Sequence, residues 1–180
     1  MNADFVIVGG GLGGALLACF LGKAGHAVDV YEMRNDLRAT EIVGGRSINL
    51  ALSYRGLCAL EKIGLADEVL KIAVPMRGRM IHSRSGETAF QPYGVDDSQA
   101  INSVSRGGLN VILLSAAAKY PHVRLFFNEK CTDVDADTGR LDFTNTKTGQ
   151  HQCVEASTIL SVDGAFSAVR RALQKRERFN

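Results

Sequence analysis

The chain has 180 residues, 46% of them hydrophobic and 22% charged, with a formal net charge of +2. That is an ordinary composition for a soluble globular protein, long enough to bury a sizeable core in one domain or a domain with a partial second. It excludes disordered and low-complexity classes, while the charge argues neither for nor against nucleic acid.

Cys19, Cys58, Cys131 and Cys153 are scattered, with no C-x-x-C and no histidine at ligand spacing, which argues against a zinc or redox centre. Met1-Asn2-Ala3-Asp4 lacks the positive start of a signal peptide. Together these point to a reducing, cytoplasmic setting.

The chain opens on Phe5-Val6-Ile7-Val8, an apolar run of the length and branching of a buried parallel strand. Gly9, Gly11 and Gly14 follow as G-x-G-x-x-G, ahead of the helix-forming run Ala15 to Leu21. Gly22 to His26 reads as a turn, and Ala27 to Tyr31 as a second strand closing on Glu32. The motif glycines serve different ends. Gly9 permits a tight turn, Gly11 lets the backbone approach a pyrophosphate, and Gly14 allows close helix–strand packing. The helix N-terminus directs unpaired N–H groups and a positive dipole end at the phosphates. Glu32 falls where an acid accepts hydrogen bonds from ribose hydroxyls, and it would repel a 2′-phosphate, so the cradle suits the adenosine of FAD or NAD.

The competing reading is a membrane span, since Phe5 to Gly22 carries no charge and has Gly-x-x-x-Gly spacing. The glycines between Gly9 and Gly14 would make a poor helix, and no basic flank precedes them.

Met33 to Arg38 is polar and irregular, and Gly44-Gly45 opens a loop expected to return across the nucleotide site. Ser53 is a candidate N-cap for a helix over Tyr54 to Ile63, with Leu57, Leu60 and Ile63 on one face and Gly64 ending it. A short amphipathic piece from Ala66 to Ala73 stops before Pro75. Met76 to Ser83 reads as one strand, Ser85-Gly86 as a turn, and Thr88 to Tyr93 as the returning strand. This hairpin interrupts a βαβ-like chain and reads as an excursion into a substrate-facing layer.

Ile101 to Val104 is a short strand leading to Ser105, an N-cap for a helix from Arg106 to Lys119 with Leu109, Ile112, Leu113 and Ala116 at helical spacing. Strands are expected at Val123–Phe127, Cys131–Asp135, Leu141–Thr144, Gln152–Val154 and Thr158–Val162, with helix from Ala165 onward. The basic residues near the end, Arg170, Arg171, Lys175, Arg176 and Arg178, read as a solvated terminal helix.

Three blocks carry a family resemblance: GGGLGG with Glu32, Asp163-Gly164-Ala165-Phe166-Ser167-Ala168-Val169-Arg170, and the hairpin between them. They resemble the class A flavoprotein aromatic hydroxylases. The run from Gly45 to Gly56, Pro75 to His82 and Pro92-Tyr93-Gly94 is most similar to the kynurenine-hydroxylating members. The resemblance covers essentially the whole chain. It implies an α/β fold: a Rossmann-like FAD-binding domain of the GR2 flavoprotein type over residues 1–75 and 99–180. Residues 76–98 would be the inserted β-hairpin of a substrate-binding domain.

It also implies site residues. Gly9, Gly11, Gly13 and Gly14 would hold the FAD pyrophosphate, and Tyr31, Glu32, Met33 and Arg34 would surround the adenosine. Ala51 would lie beside the flavin, Arg106 would reach the phosphates or ribityl chain, and Cys131 would take the adenine side. Asp163 is associated with the ribityl chain and with NADPH. Arg79 and Tyr93 correspond to substrate contacts, a guanidinium for the α-carboxylate of an amino acid and a phenol for an aromatic ring. Arg77 shares Arg79's strand face by alternation and competes for that role.

The implied reaction is hydroxylation of L-kynurenine to 3-hydroxykynurenine with NADPH and O₂ through a flavin hydroperoxide. The chemistry belongs to the cofactor, so no acid–base, nucleophilic or metal-ligating residue is assigned. No nucleic-acid partner and no membrane segment within the chain are expected. The chain departs from the family at Ser161-Val162, where Gly-Ala is usual, and at its end, Asn180, ahead of a second Gly-Asp motif. An N-terminal part without turnover of its own is therefore expected. The alternatives are a hydroxylase or reductase for another aromatic acid, and a non-catalytic dinucleotide-binding module.

Overall fold

A computed structural model of the chain describes residues 3–39, 48–96 and 99–176. It opens with β1 (Phe5–Val8), α1 (Leu12–Lys23) and β2 (Val28–Glu32). Then come β3 (Asn49–Leu52), α2 (Tyr54–Lys62), α3 (Ala66–Ile72), β4 (Val74–Met76), β5 (Gly78–His82) and β6 (Thr88–Pro92). After β7 (Ile101–Ser105) and α4 (Arg106–Ala117), the chain forms β8 (Val123–Phe127), β9 (Glu129–Asp135), β10 (Arg140–Asn145) and β11 (His151–Glu155). It closes with β12 (Ile159–Ser161) and α5 (Ala168–Arg176). These elements form two compact units, Met1–Val43 with Asn110–Asn180, and Gly44–Leu109.

The first unit is built on a four-stranded sheet in the order β12-β1-β2-β8, parallel at every pairing. All five residues of β2 are buried, as a strand covered on both faces requires. One of them, Asp29, accepts from Arg124 Nε at 2.6 Å and Nη2 at 2.7 Å, a bidentate pair across the β2–β8 register. The pairing meets the cost that an isolated buried carboxylate would carry.

A three-stranded antiparallel sheet, β11-β10-β9, joins α5 and the parallel sheet in one core. That core contains Val6, Val8, Val134, Leu141, Phe143, Ala168, Val169 and Ala172. The helix α5 begins at Ala168 rather than Ala165, because Asp163 and Ser167 cap it. The Ala168 amide donates to Asp163 Oδ2 at 2.7 Å and the Arg170 amide to Ser167 Oγ at 2.9 Å.

The second unit holds the sheet β3-β7-β4 and the hairpin β5-β6, both antiparallel. The stretch expected as one strand from Met76 to Ser83 is divided at Arg77. Val74–Met76 pairs with β7 at a sheet edge, where Pro75 costs no ladder bond, while Gly78–His82 pairs with β6. Gly78 is the one mark of the break in the run, and the change of partner fixes it there. Gly86 makes the hairpin turn with φ +88°. Ser53 stands at the start of α2 in extended conformation, but its hydroxyl makes no capping bond. Ser105 does cap α4, accepting from the Gly108 amide at 3.3 Å.

The expected loop at Gly44-Gly45 lies outside the described residues. Among the described residues no helix is long and apolar enough to cross a membrane.

Candidate functional site

At the carboxyl end of β1 the chain turns sharply at Gly9, whose φ is +104° and whose amide donates to Tyr31 O at 2.8 Å. Open α/β sheets bind ligands at this end of their strands. Gly11 caps α1 in extended conformation, and the first turn of α1 has neither an acidic side chain nor a side-chain cap. Its leading N–H groups are therefore presented to an external acceptor.

The glycines differ in what holds them. A Cβ on Gly14 would lie 1.8 Å from Gly9 O, so that glycine is required by the fold. A Cβ on Gly11 would meet nothing within 4 Å, and one on Gly13 only Val162 Cγ1 at 3.6 Å. Nothing in the protein's own packing calls for glycine at Gly11. A ligand drawn against the backbone there would, and in this respect the cradle fits a pyrophosphate.

Glu32 ends β2 and is only 7% exposed. Its Oε2 accepts from the Gly10 amide at 2.7 Å, and its Oε1 from the Arg34 amide at 2.9 Å and Arg34 Nε at 3.1 Å. An ionised carboxylate has about four acceptor positions, and the protein's own groups engage three here. The acid expected to face ribose thus also locks the glycine loop, keeping limited capacity for a ligand. The backbone beyond it is pinned too: Arg34 O accepts from the Asn128 amide at 3.0 Å, and Met33 O from Thr146 Oγ1 at 3.3 Å. The Met33 side chain is 50% exposed.

Two expected adenosine neighbours have side chains packed in the core. Tyr31 is 5% exposed, stacked on Phe126 at 4.7 Å and Phe143 at 4.3 Å between centroids. Burial, and then the Asp29 charge, push its hydroxyl up to about 12. What Tyr31 offers the glycine loop is its carbonyl. Cys131 is buried in the same cluster, its thiol pushed up to about 12 by burial and by the charges of Asp163, Asp133 and Asp142. The physical reason is shared: Cys131 on the antiparallel sheet and Tyr31 on the parallel sheet face the one core between them.

Asp163 faces α5. Burial alone would raise its carboxyl, but the hydroxyls of Ser161 and Ser167 and the Ala168 amide outweigh burial and hold it below the usual carboxylate range. A lowered folded pKa contributes stability above the unfolded pKa that is lost as pH falls through the folded one. The stability gap between the wild type and Asp163→Asn, measured by urea unfolding, is accordingly expected at neutral pH and closes below the usual carboxylate range. A gap independent of pH would contradict this.

Asn110, which no motif in the sequence marks, enters the same site. It is 7% exposed, and its Nδ2 donates to Gly10 O at 3.3 Å. Its spacing with Leu114 and Ala117, both buried, puts it on the inward stripe of α4 and is the signal that could reveal it. Ile112 and Ala116, expected on that stripe, are only partly buried. A cavity of about 10 Å³ is lined by Gly10, Glu32, Arg34, Asn35, Leu37, Asn110, Leu114 and Phe127.

The first unit thus brings together Gly9, Gly11, Gly13, Gly14, Glu32, Met33 and Arg34. Ala51, Arg79, Tyr93 and Arg106 belong to the second. Ala51 is exposed on β3, and Arg106 is exposed at the start of α4, its amide bonded to Ile48 O at 3.1 Å. Arg79 stands opposite Gln91 and donates from Nε to Gln91 Oε1 at 2.8 Å. Tyr93 follows the end of β6, and its amide donates to Arg77 O at 2.9 Å.

A family model described as an FAD binding domain matches residues 2–179. The chain is 49% identical over 173 residues to a kynurenine 3-monooxygenase of Myxococcus xanthus (strain DK1622), covering 96% of this chain and 37% of that protein. It is 48% identical over 177 residues to the Anopheles gambiae protein of the same name, covering 98% and 36%. To that of Sus scrofa it is 46% identical over 179 residues, covering 99% and 38%. The chain therefore spans between a third and two fifths of these relatives. Among solved structures, p-nitrophenol 4-monooxygenase PnpA from Pseudomonas putida DLL-E4 aligns with a TM-score of 0.79 at 24% identity, over 96% of this chain and 43% of that one. The flavin-dependent monooxygenase PieE, in complex with FAD and substrate, aligns at 0.82 and 20% identity, over 96% and 32%. At those identities the likeness is one of fold.

Proposed function

The chain belongs to the FAD-binding domain family, and from that premise we propose that the full-length protein is a flavin-dependent monooxygenase hydroxylating L-kynurenine to 3-hydroxykynurenine. The observation that carries this is identity of 46–49% to kynurenine 3-monooxygenases, along 96–99% of the chain. Gly9, Gly11, Gly13 and the N-terminus of α1 would hold the pyrophosphate of FAD. Glu32 and Arg34 would take the adenosine side. The Glu32 charge disfavours a 2′-phosphate, so NADPH acts as co-substrate and does not compete for this cradle. Bound FAD would supply the redox chemistry, accepting a hydride from NADPH and delivering one oxygen atom of O₂ to the ring while the other leaves as water.

On the hairpin, Arg79 and Tyr93 would orient the amino acid: the guanidinium on the α-carboxylate, the phenol against the ring. The contact with Gln91 uses Nε of Arg79, and a bidentate carboxylate contact can use the terminal amino groups. No residue of this chain is assigned a proton-transfer step.

The test is NADPH oxidation by the full-length protein with FAD, with L-kynurenine and with hydroxybenzoates. Stimulation by kynurenine together with 3-hydroxykynurenine as product supports the reading. Flavin reduction stimulated only by a hydroxybenzoate overturns it in favour of another aromatic acid.

The cradle has its own test in Gly11→Ala. Because that Cβ meets no protein atom, the unfolding midpoint is expected to fall by no more than about 3 °C, the scale of changing a neutral N-cap. The Kd for FAD, read from quenching of flavin fluorescence, is expected to rise about tenfold or more as the methyl separates backbone from phosphate. An unchanged Kd would mean that the pyrophosphate does not lie against Gly11.

A further inference from the structure

We propose that Asn110 is a positioning residue of the nucleotide site, holding the Gly10 peptide so that Glu32 keeps its carboxylate aimed at the adenosine side. The inference rests on the reading of that site as an FAD cradle and adds a residue which the glycine motif does not contain.

Gly10 is a variable position in G-x-G-x-x-G, yet here the peptide units on both sides of its Cα are held. Its N–H donates to Glu32 Oε2 at 2.7 Å and its carbonyl accepts from Asn110 Nδ2 at 3.3 Å. Contact with the acid is close as well: a Cβ on Gly10 would lie 2.9 Å from Glu32 Cβ. The three residues come from the loop after β1, the end of β2 and the inward face of α4, so the chain of contacts links elements 22 and 100 residues apart.

The amide of Asn110 is costly where it stands. Its Oδ1 is buried with no partner among the described residues, and an unsatisfied buried acceptor is destabilising. A leucine would fill an inward helix position without that cost. The group that makes Asn110 useful is therefore Nδ2, and the atom it holds is Gly10 O. Release of that carbonyl frees the Gly10–Gly11 peptide to turn about a Cα that carries no side chain, and the adjoining Gly9–Gly10 peptide, whose N–H fixes Glu32 Oε2, loses its anchor on that side.

Such a role predicts coupling with Glu32. In the full-length protein, Asn110→Ala is expected to raise the Kd for FAD about tenfold, as loss of one positioning hydrogen bond implies. In a Glu32→Ala background the same substitution is expected to change Kd less than about twofold, because the lock it serves is gone. Equal factors in both backgrounds would reduce Asn110 to a structural residue and overturn the inference, and so would an unchanged Kd in the native background. Should Asn110→Ala not fold, Asn110→Asp, which keeps the shape and removes the donor, carries the same cycle; failure of both to fold also overturns it. Absence of FAD binding by the wild type would instead refute the cradle itself, a different result from a wild type that binds while its Asn110 variants match it.

Discussion

Gly14→Ala is expected to lower the thermal unfolding midpoint by about 10 °C, followed by circular dichroism, from a destabilisation of about 3 kcal/mol. The added Cβ would stand 1.8 Å from Gly9 O and 3.3 Å from Ile7 Cγ2, and the first of these is backbone. No side-chain rotation relieves a clash with a carbonyl oxygen. Either α1 lifts from β1 or the Gly9 turn opens. The first exposes Ala15, Ala18 and Cys19, all within 1% of full burial. The second takes the Gly9 amide from Tyr31 O. Affinity for FAD is expected to fall too, since either movement displaces the cradle. A drop below about 2 °C would show that the backbone yields at little cost, contrary to close-packed helix–strand contact. Gly11→Ala is the natural companion, since the same methyl added three residues earlier meets open space.

The second large effect is at Glu32. Glu32→Ala is expected to raise the Kd for FAD about 100-fold, the scale of losing one charge-assisted hydrogen bond at about 1.5–3 kcal/mol. Three protein N–H groups lose their acceptor at the same time, among them the Gly10 amide, so the midpoint falls by several degrees as well. Glu32→Gln separates the two losses. Glutamine keeps the volume but has one acceptor oxygen and an amino group that cannot accept, so it can serve Gly10 or Arg34, not both. An intermediate Kd with a smaller loss of stability is expected for it. Kd values for Glu32→Ala within twofold of the wild type would leave the acid as a loop clamp with no part in holding the nucleotide.

These substitutions also mark how far the sequence can be read. The strand from Phe5, the turn at Gly9, the helix and the acid at Glu32 are local features, fixed by steric rules over a few residues, and they stand where they are expected. The start of α5 differs from the expected one because a D-G stretch with a later serine can begin a helix at several positions. The bonds to Asp163 and Ser167 select one of them. Tyr31 is expected beside the adenosine from the family resemblance alone. A strand buried on both faces gives no alternation from which to tell which way its ring points.

The sequence by itself determined the nucleotide cradle: a run of branched residues, glycines at fixed spacing and a carboxylate at the end of the next strand admit few other folded uses. Only the tertiary structure decided what the carboxylate touches, which rings fill the core, and that an asparagine on a distant helix holds the loop. Those choices join residues up to 100 positions apart. They follow from how a helix and two sheets close over one another, and no local propensity carries that information.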